Sequence, residues 1–82
     1  MTGTTIEELK DRGRRRKAPP AVLRLYRRAF TEYGTLALWY RRALSSPTIA
    51  EALVVAECLR VEGNLRARRL AAEIEAACRA AV

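Results

Sequence analysis

From Val22 to Ala43 the apolar residues follow a single rule. Val22, Tyr26, Ala29, Tyr33, Leu36, Tyr40 and Ala43 are separated alternately by four and three positions. That spacing follows the 3.6-residue turn of an α-helix and clashes with the two-residue period of a strand. Leu23, Phe30, Ala37 and Leu44 stand beside the same stripe at intervals of seven. Together they predict one long amphipathic helix over about residues 21–44, about 36 Å in length at 1.5 Å per residue. Pro20 suits its first position, where a missing N–H costs nothing. Gly34 falls in mid-helix, where it weakens the helix by about 1 kcal/mol relative to Ala and marks a bend or a close contact.

The rest of the chain reads in the same register. Ser45-Ser46-Pro47 ends the long helix, and Thr48 with Glu51 forms a capping box that opens another over about 48–62. Val54, Cys58 and Val61 make this second helix apolar nearly all round, which marks it as the most buried element. Gly63 fits the residue after its end and Asn64 the N-cap of a last helix, about 65–81. The last stripe is Ala67, Leu70, Ala71, Ile74, Ala77, Cys78 and Ala81. Arg69–Glu73 and Glu75–Arg79 have the four-residue spacing of solvated ion pairs. Near the start, Thr5 and Glu8 have capping-box spacing, but only Ile6 and Leu9 are apolar there. Residues 1–17 therefore read as a short, weakly held helix or a basic arm, and 18–82 as a single helical domain. The expected class is all-α: a small bundle with the long helix packed on an antiparallel hairpin. No strand pattern and no fixed-period repeat is present.

Composition narrows the function. The 82 residues carry 16 basic and 9 acidic side chains, a net charge of +7, with 14 Arg against 2 Lys. The excess lies in the first 47 residues, because residues 48–82 hold five of each sign. The absence of His removes every His-based triad, general base and metal site. The five Glu after residue 50 are scattered among Arg at helix-surface spacing, so no enzyme, metal or cofactor is expected. Cys58 and Cys78 sit at unequal distances from the Gly63-Asn64 turn, about 13–15 Å apart along the hairpin, too far for a disulfide. Buried thiols are expected instead. No apolar run approaches the ~20 residues that span a bilayer, and the start lacks the apolar core of a secretory signal. A reducing cytoplasm is the expected compartment, with no membrane partner. Arg- and Ala-rich, Lys-poor usage fits a GC-rich bacterial genome or one of its phages or plasmids.

Two basic features remain. Arg14, Arg15, Arg16 and Lys17 form a run that attracts phosphates without reading sequence. Arg28, Glu32, Thr35, Trp39 and Arg42 follow one another along the outer face of the long helix, with Arg24, Arg27 and Arg41 around them. A Trp among Arg residues on a polar face has the composition of an interaction hot spot or a base-stacking platform. A DNA-reading helix-turn-helix around residues 57–70 fails, since either frame sends charged side chains into the core. The expected function is binding of nucleic acid or a ribonucleoprotein through Arg14–Lys17, Arg24, Arg27, Arg28, Trp39, Arg41 and Arg42. The alternative is a protein-binding adaptor, chaperone or phage- or plasmid-encoded inhibitor, of which anti-CRISPR proteins are one kind. It would turn the same Arg/Trp face to an acidic protein. A homodimer through the Trp39 face is compatible with either.

Overall fold

The computed structural model describes residues 5–34 and 43–81. Four helices follow in chain order: α1 (Ile6–Gly13), α2 (Pro20–Tyr33), α3 (Ile49–Glu62) and α4 (Leu65–Ala81). The described residues are all-helical apart from their connections. α3 and α4 pack along each other, α2 lies against both, and α1 covers part of α3.

The helix starts follow the capping chemistry of the sequence. The Thr5 hydroxyl accepts from the backbone N–H of Glu8 at 3.1 Å. At α3 the box is complete: Thr48 Oγ1 accepts from Glu51 N at 3.2 Å, and Glu51 Oε1 accepts from Thr48 N at 2.7 Å. Each such cap satisfies a donor that the helix leaves without a partner, worth about 1 kcal/mol. Asn64 Oδ1 likewise accepts from Ala67 N at 3.0 Å, which starts α4 one residue after the turn. α2 begins without a side-chain cap, on the extended backbone of Pro19 with Pro20 in its first position.

The core is small and mostly aliphatic, with two tyrosines. Val22, Tyr26, Ala29 and Tyr33 of α2 meet Ala52, Leu53, Ala56 and Leu59 of α3 and Leu70, Ala71 and Ile74 of α4 in one buried cluster. Leu9 joins it from α1 and is almost fully buried. Burying a side chain of this size contributes about 2 kcal/mol.

Three expectations are corrected. The helix predicted over 21–44 does not run its full length: Gly34 is the C-cap of α2, and Ala43 and Leu44 are not helical. A continuous helix would put Leu44 about 27 Å from Tyr26. Instead the backbone N–H of Leu44 donates to the Tyr26 hydroxyl at 2.9 Å, so the chain has come back beside α2. The hydroxyl of a buried Tyr needs a partner, and this one takes it from the returning strand of chain. Leu44 thus keeps the heptad spacing without being helical, while Leu36, Ala37 and Tyr40 lie outside the described residues. The second correction concerns Val61, which is 76% exposed, so α3 is not apolar-buried on every side.

The third concerns why Gly63 is a glycine. Its φ of −91° is open to any residue, so no left-handed cap is involved. Space is the constraint: a Cβ there would stand 2.4 Å from both the Ala67 Cβ and the Leu59 carbonyl oxygen. The two-residue connection brings α4 against the end of α3 too closely for a side chain. Gly63→Ala should therefore lower stability by about 2 kcal/mol, as overpacking against backbone does. Chemical denaturation at unchanged m-value would show it, and a variant as stable as the parent would contradict this packing.

Candidate nucleic-acid interface

Arg14, Arg15, Arg16 and Lys17 follow α1 directly and are all exposed. Their backbone is held. Arg16 N donates to Gly13 O at 3.3 Å, and Arg16 O accepts from Ile49 N at 2.8 Å. Lys17 forms an antiparallel bridge with Thr48, and Ala18 N donates to Pro47 O at 2.9 Å. The run is therefore stitched to the head of α3, with its side chains left to solvent. α1 itself is anchored on α3 by Leu9 and by an ion pair from Lys10 to Glu57. Gly13 allows the close approach, since a Cβ there would stand 2.7 Å from Ile49 Cγ2.

Arg24, Arg27 and Arg28 are exposed on α2. On a 100° helical step they fall on the face opposite Val22, Tyr26, Ala29 and Tyr33, all of which are buried. Burial of one stripe thus dictates exposure of the other. Pro20 lies three positions after Lys17, at most about 10 Å of chain. Arg24 lies about 6 Å further along the helix. The two basic clusters therefore lie close to each other along the chain, on either side of the start of α2. Trp39, Arg41 and Arg42, the remaining predicted contacts, lie outside the described residues.

Not all of this charge is uncompensated. Arg14 pairs with Asp11 at 3.1 Å, with both side chains largely exposed. Arg28 Nε donates to Glu32 Oε2 at 2.8 Å. That hydrogen bond, with the attraction of Glu32 and more weakly of Glu73 in α4, pushes the Arg28 guanidinium further above its ordinary range. Exposed pairs of this kind are weakly held in water and open readily for a competing phosphate. Arg15, Arg16, Lys17, Arg24 and Arg27 make no ion pair among the described residues.

The acidic residues are distributed differently from the linear sequence. Glu75, expected in a solvated pair with Arg79, is buried and held by Arg60 of α3. Arg60 Nε donates to Oε2 at 2.8 Å and Nη2 to Oε1 at 2.6 Å, a bidentate fork. Hydrogen bonding to Glu75 also raises the Arg60 guanidinium above its usual pKa. Glu51 is used by the α3 cap and Glu57 by Lys10. Three of the five Glu that made residues 48–82 neutral are thus engaged within the fold. The exposed Arg66, Arg68 and Arg69 at the start of α4 were missed as a surface for that reason. No local spacing rule pairs Arg60 with Glu75 or Lys10 with Glu57, because both pairs join different helices.

No group of three or more His, Cys, Asp or Glu could hold a metal ion among the described residues. Cys58 and Cys78 are both buried thiols. Loss of hydration, with the nearby charge of Glu75, pushes Cys78 up to about 11. An unfolded thiol ionises near 9, so the folded state keeps the proton that the unfolded state sheds. Stability should accordingly be unaffected by this group below about pH 9 and fall between about pH 9 and about pH 11. Cys78→Ala should flatten that fall in urea melts taken across the range, and an identical pH profile would contradict the assignment.

No helix of the described residues is long and apolar enough to cross a membrane. Comparison of the chain with protein-family models, with curated proteins and with solved structures gives no match.

Proposed function

We propose that this chain is a non-enzymatic cytoplasmic protein that binds nucleic acid or a ribonucleoprotein along the edge formed by Arg14–Lys17 and the outer face of α2. The supporting observation is the backbone stitch from Arg16, Lys17 and Ala18 to Pro47, Thr48 and Ile49. A basic run on a loose tail would lose conformational entropy each time it met a ligand. Here the backbone is already fixed, so Arg15, Arg16 and Lys17 meet phosphates with only side-chain freedom to lose. Arg24, Arg27 and Arg28 continue the same edge on a rigid helix. Arg suits the task because its planar fork holds two phosphate oxygens at once. Trp39, Arg41 and Arg42 complete the proposed contact set, with Trp39 as the stacking platform.

Such a surface recognises backbone charge and shape more than base sequence. Capture from a bacterial lysate, with and without nuclease, tests the reading. Nucleic acid should co-purify with the chain, and proteins recovered with it should disappear after nuclease treatment. Nuclease-resistant capture of one stoichiometric protein would mean that the Arg face meets an acidic protein instead.

A further inference from the structure

A second surface lies away from this edge, where α3 turns into α4. Among the described residues three large apolar side chains are exposed, and two of them flank this turn: Val61 at 76% and Leu65 at 66%. They are four positions apart in the chain, so their Cα atoms are within about 14 Å. Arg66, Arg68 and Arg69 follow immediately, all exposed and without an ion pair among the described residues.

This arrangement is unfavourable for folding. The first turn of α4 holds no acidic residue, although negative charge is what stabilises a helix start. Three cations within four positions also repel one another. Val at an exposed helix position and Leu on a tight turn gain nothing from burial either.

We propose that Val61 and Leu65, with the exposed Arg66, Arg68 and Arg69 that follow in α4, form a docking surface for an acidic protein segment carrying aliphatic side chains. The apolar pair would anchor the segment and the Arg residues would meet its carboxylates. Charge complementarity selects this occupant. A second copy of the chain would bring an identical set of cations against the first, in a protein of net charge +7. Nucleic acid would satisfy the Arg residues, but two aliphatic side chains give bases no planar surface to stack on. The inference is independent of the basic edge on α2, and the two together would let one chain join a nucleic acid to a protein.

The test is selection of a random peptide library on the immobilised full chain at physiological salt. Enriched peptides should combine Asp or Glu with Leu, Ile or Val. Their affinity should fall about tenfold or more for Val61→Ser/Leu65→Ser, whose exposed positions leave the fold and its melting unchanged. Arg66→Glu/Arg68→Glu should abolish binding of the same peptides, while Arg24→Glu/Arg27→Glu should not alter it. Absence of an acidic, aliphatic consensus, or binding indifferent to Val61→Ser/Leu65→Ser, would overturn the proposal. It would also fall if the Val61 and Leu65 methyl resonances shifted with protein concentration alone, or with a single-stranded oligonucleotide. Those results would assign the surface to a second copy or to nucleic acid.

Discussion

Arg60→Ala is expected to lower the stability of the fold by about 3 kcal/mol. The reason is what remains behind. Glu75 keeps only 11% of its side chain exposed, and both of its oxygens accept from the one guanidinium. Without Arg60 a largely buried carboxylate loses the guanidinium from which both of its oxygens accept. Arg60 is itself 45% exposed, which keeps the cost below that of a fully buried pair. In a domain of this size the change corresponds to a fall in melting temperature of about 12–24 °C. Removing both partners should be milder than removing Arg60 alone. Arg60→Ala/Glu75→Leu takes away the stranded charge and adds apolar volume, so it should recover most of the loss. Thermal melts of the three proteins would show this ordering. Equal destabilisation by the single and double variants would mean that the pair supplies packing rather than charge compensation.

That ion pair also shows where a reading of the sequence stops. The four helices were legible because their signals are local. Thr48 and Glu51 cap α3, Asn64 caps α4, and Val22, Tyr26, Ala29 and Tyr33 face the core at the spacing that one helical stripe demands. The end of α2 was less legible. Leu36, Tyr40 and Ala43 keep the same period, and only the hydrogen bond from Leu44 to Tyr26 shows that the chain has turned back. Tertiary contact decided that boundary, as it routinely overrides propensity. The Arg60–Glu75 pair was missed for a related reason: it joins neighbouring helices, where no spacing along one helix can show it. The basic site was legible as a set of residues but not as a place. Only the contacts of Lys17 and Ala18 with Thr48 and Pro47 show that the Arg14–Lys17 run is held against the head of α3.

The second large effect concerns binding. Arg15→Glu/Arg16→Glu/Arg24→Glu/Arg27→Glu should weaken binding of a labelled oligonucleotide by roughly a hundredfold or more at physiological salt. Four phosphate contacts at close to 1 kcal/mol each would be lost and replaced by repulsion. All four side chains are exposed and make no ion pair among the described residues, so helix content and melting should change little. That separation of binding from stability distinguishes an interface from a solvated face that happens to be basic. The same four changes made to a merely soluble surface would alter neither property.

Salt dependence tests the central claim most directly. The affinity of the full chain for a random-sequence oligonucleotide is measured over a range of salt concentrations, alongside Arg24→Ala/Arg27→Ala. If the edge binds phosphates, log affinity falls linearly with log salt, with a slope of about −4 or steeper, and the double variant makes it shallower by about two. A parent slope near zero, or one that the loss of Arg24 and Arg27 leaves unchanged, would contradict nucleic-acid binding at this edge.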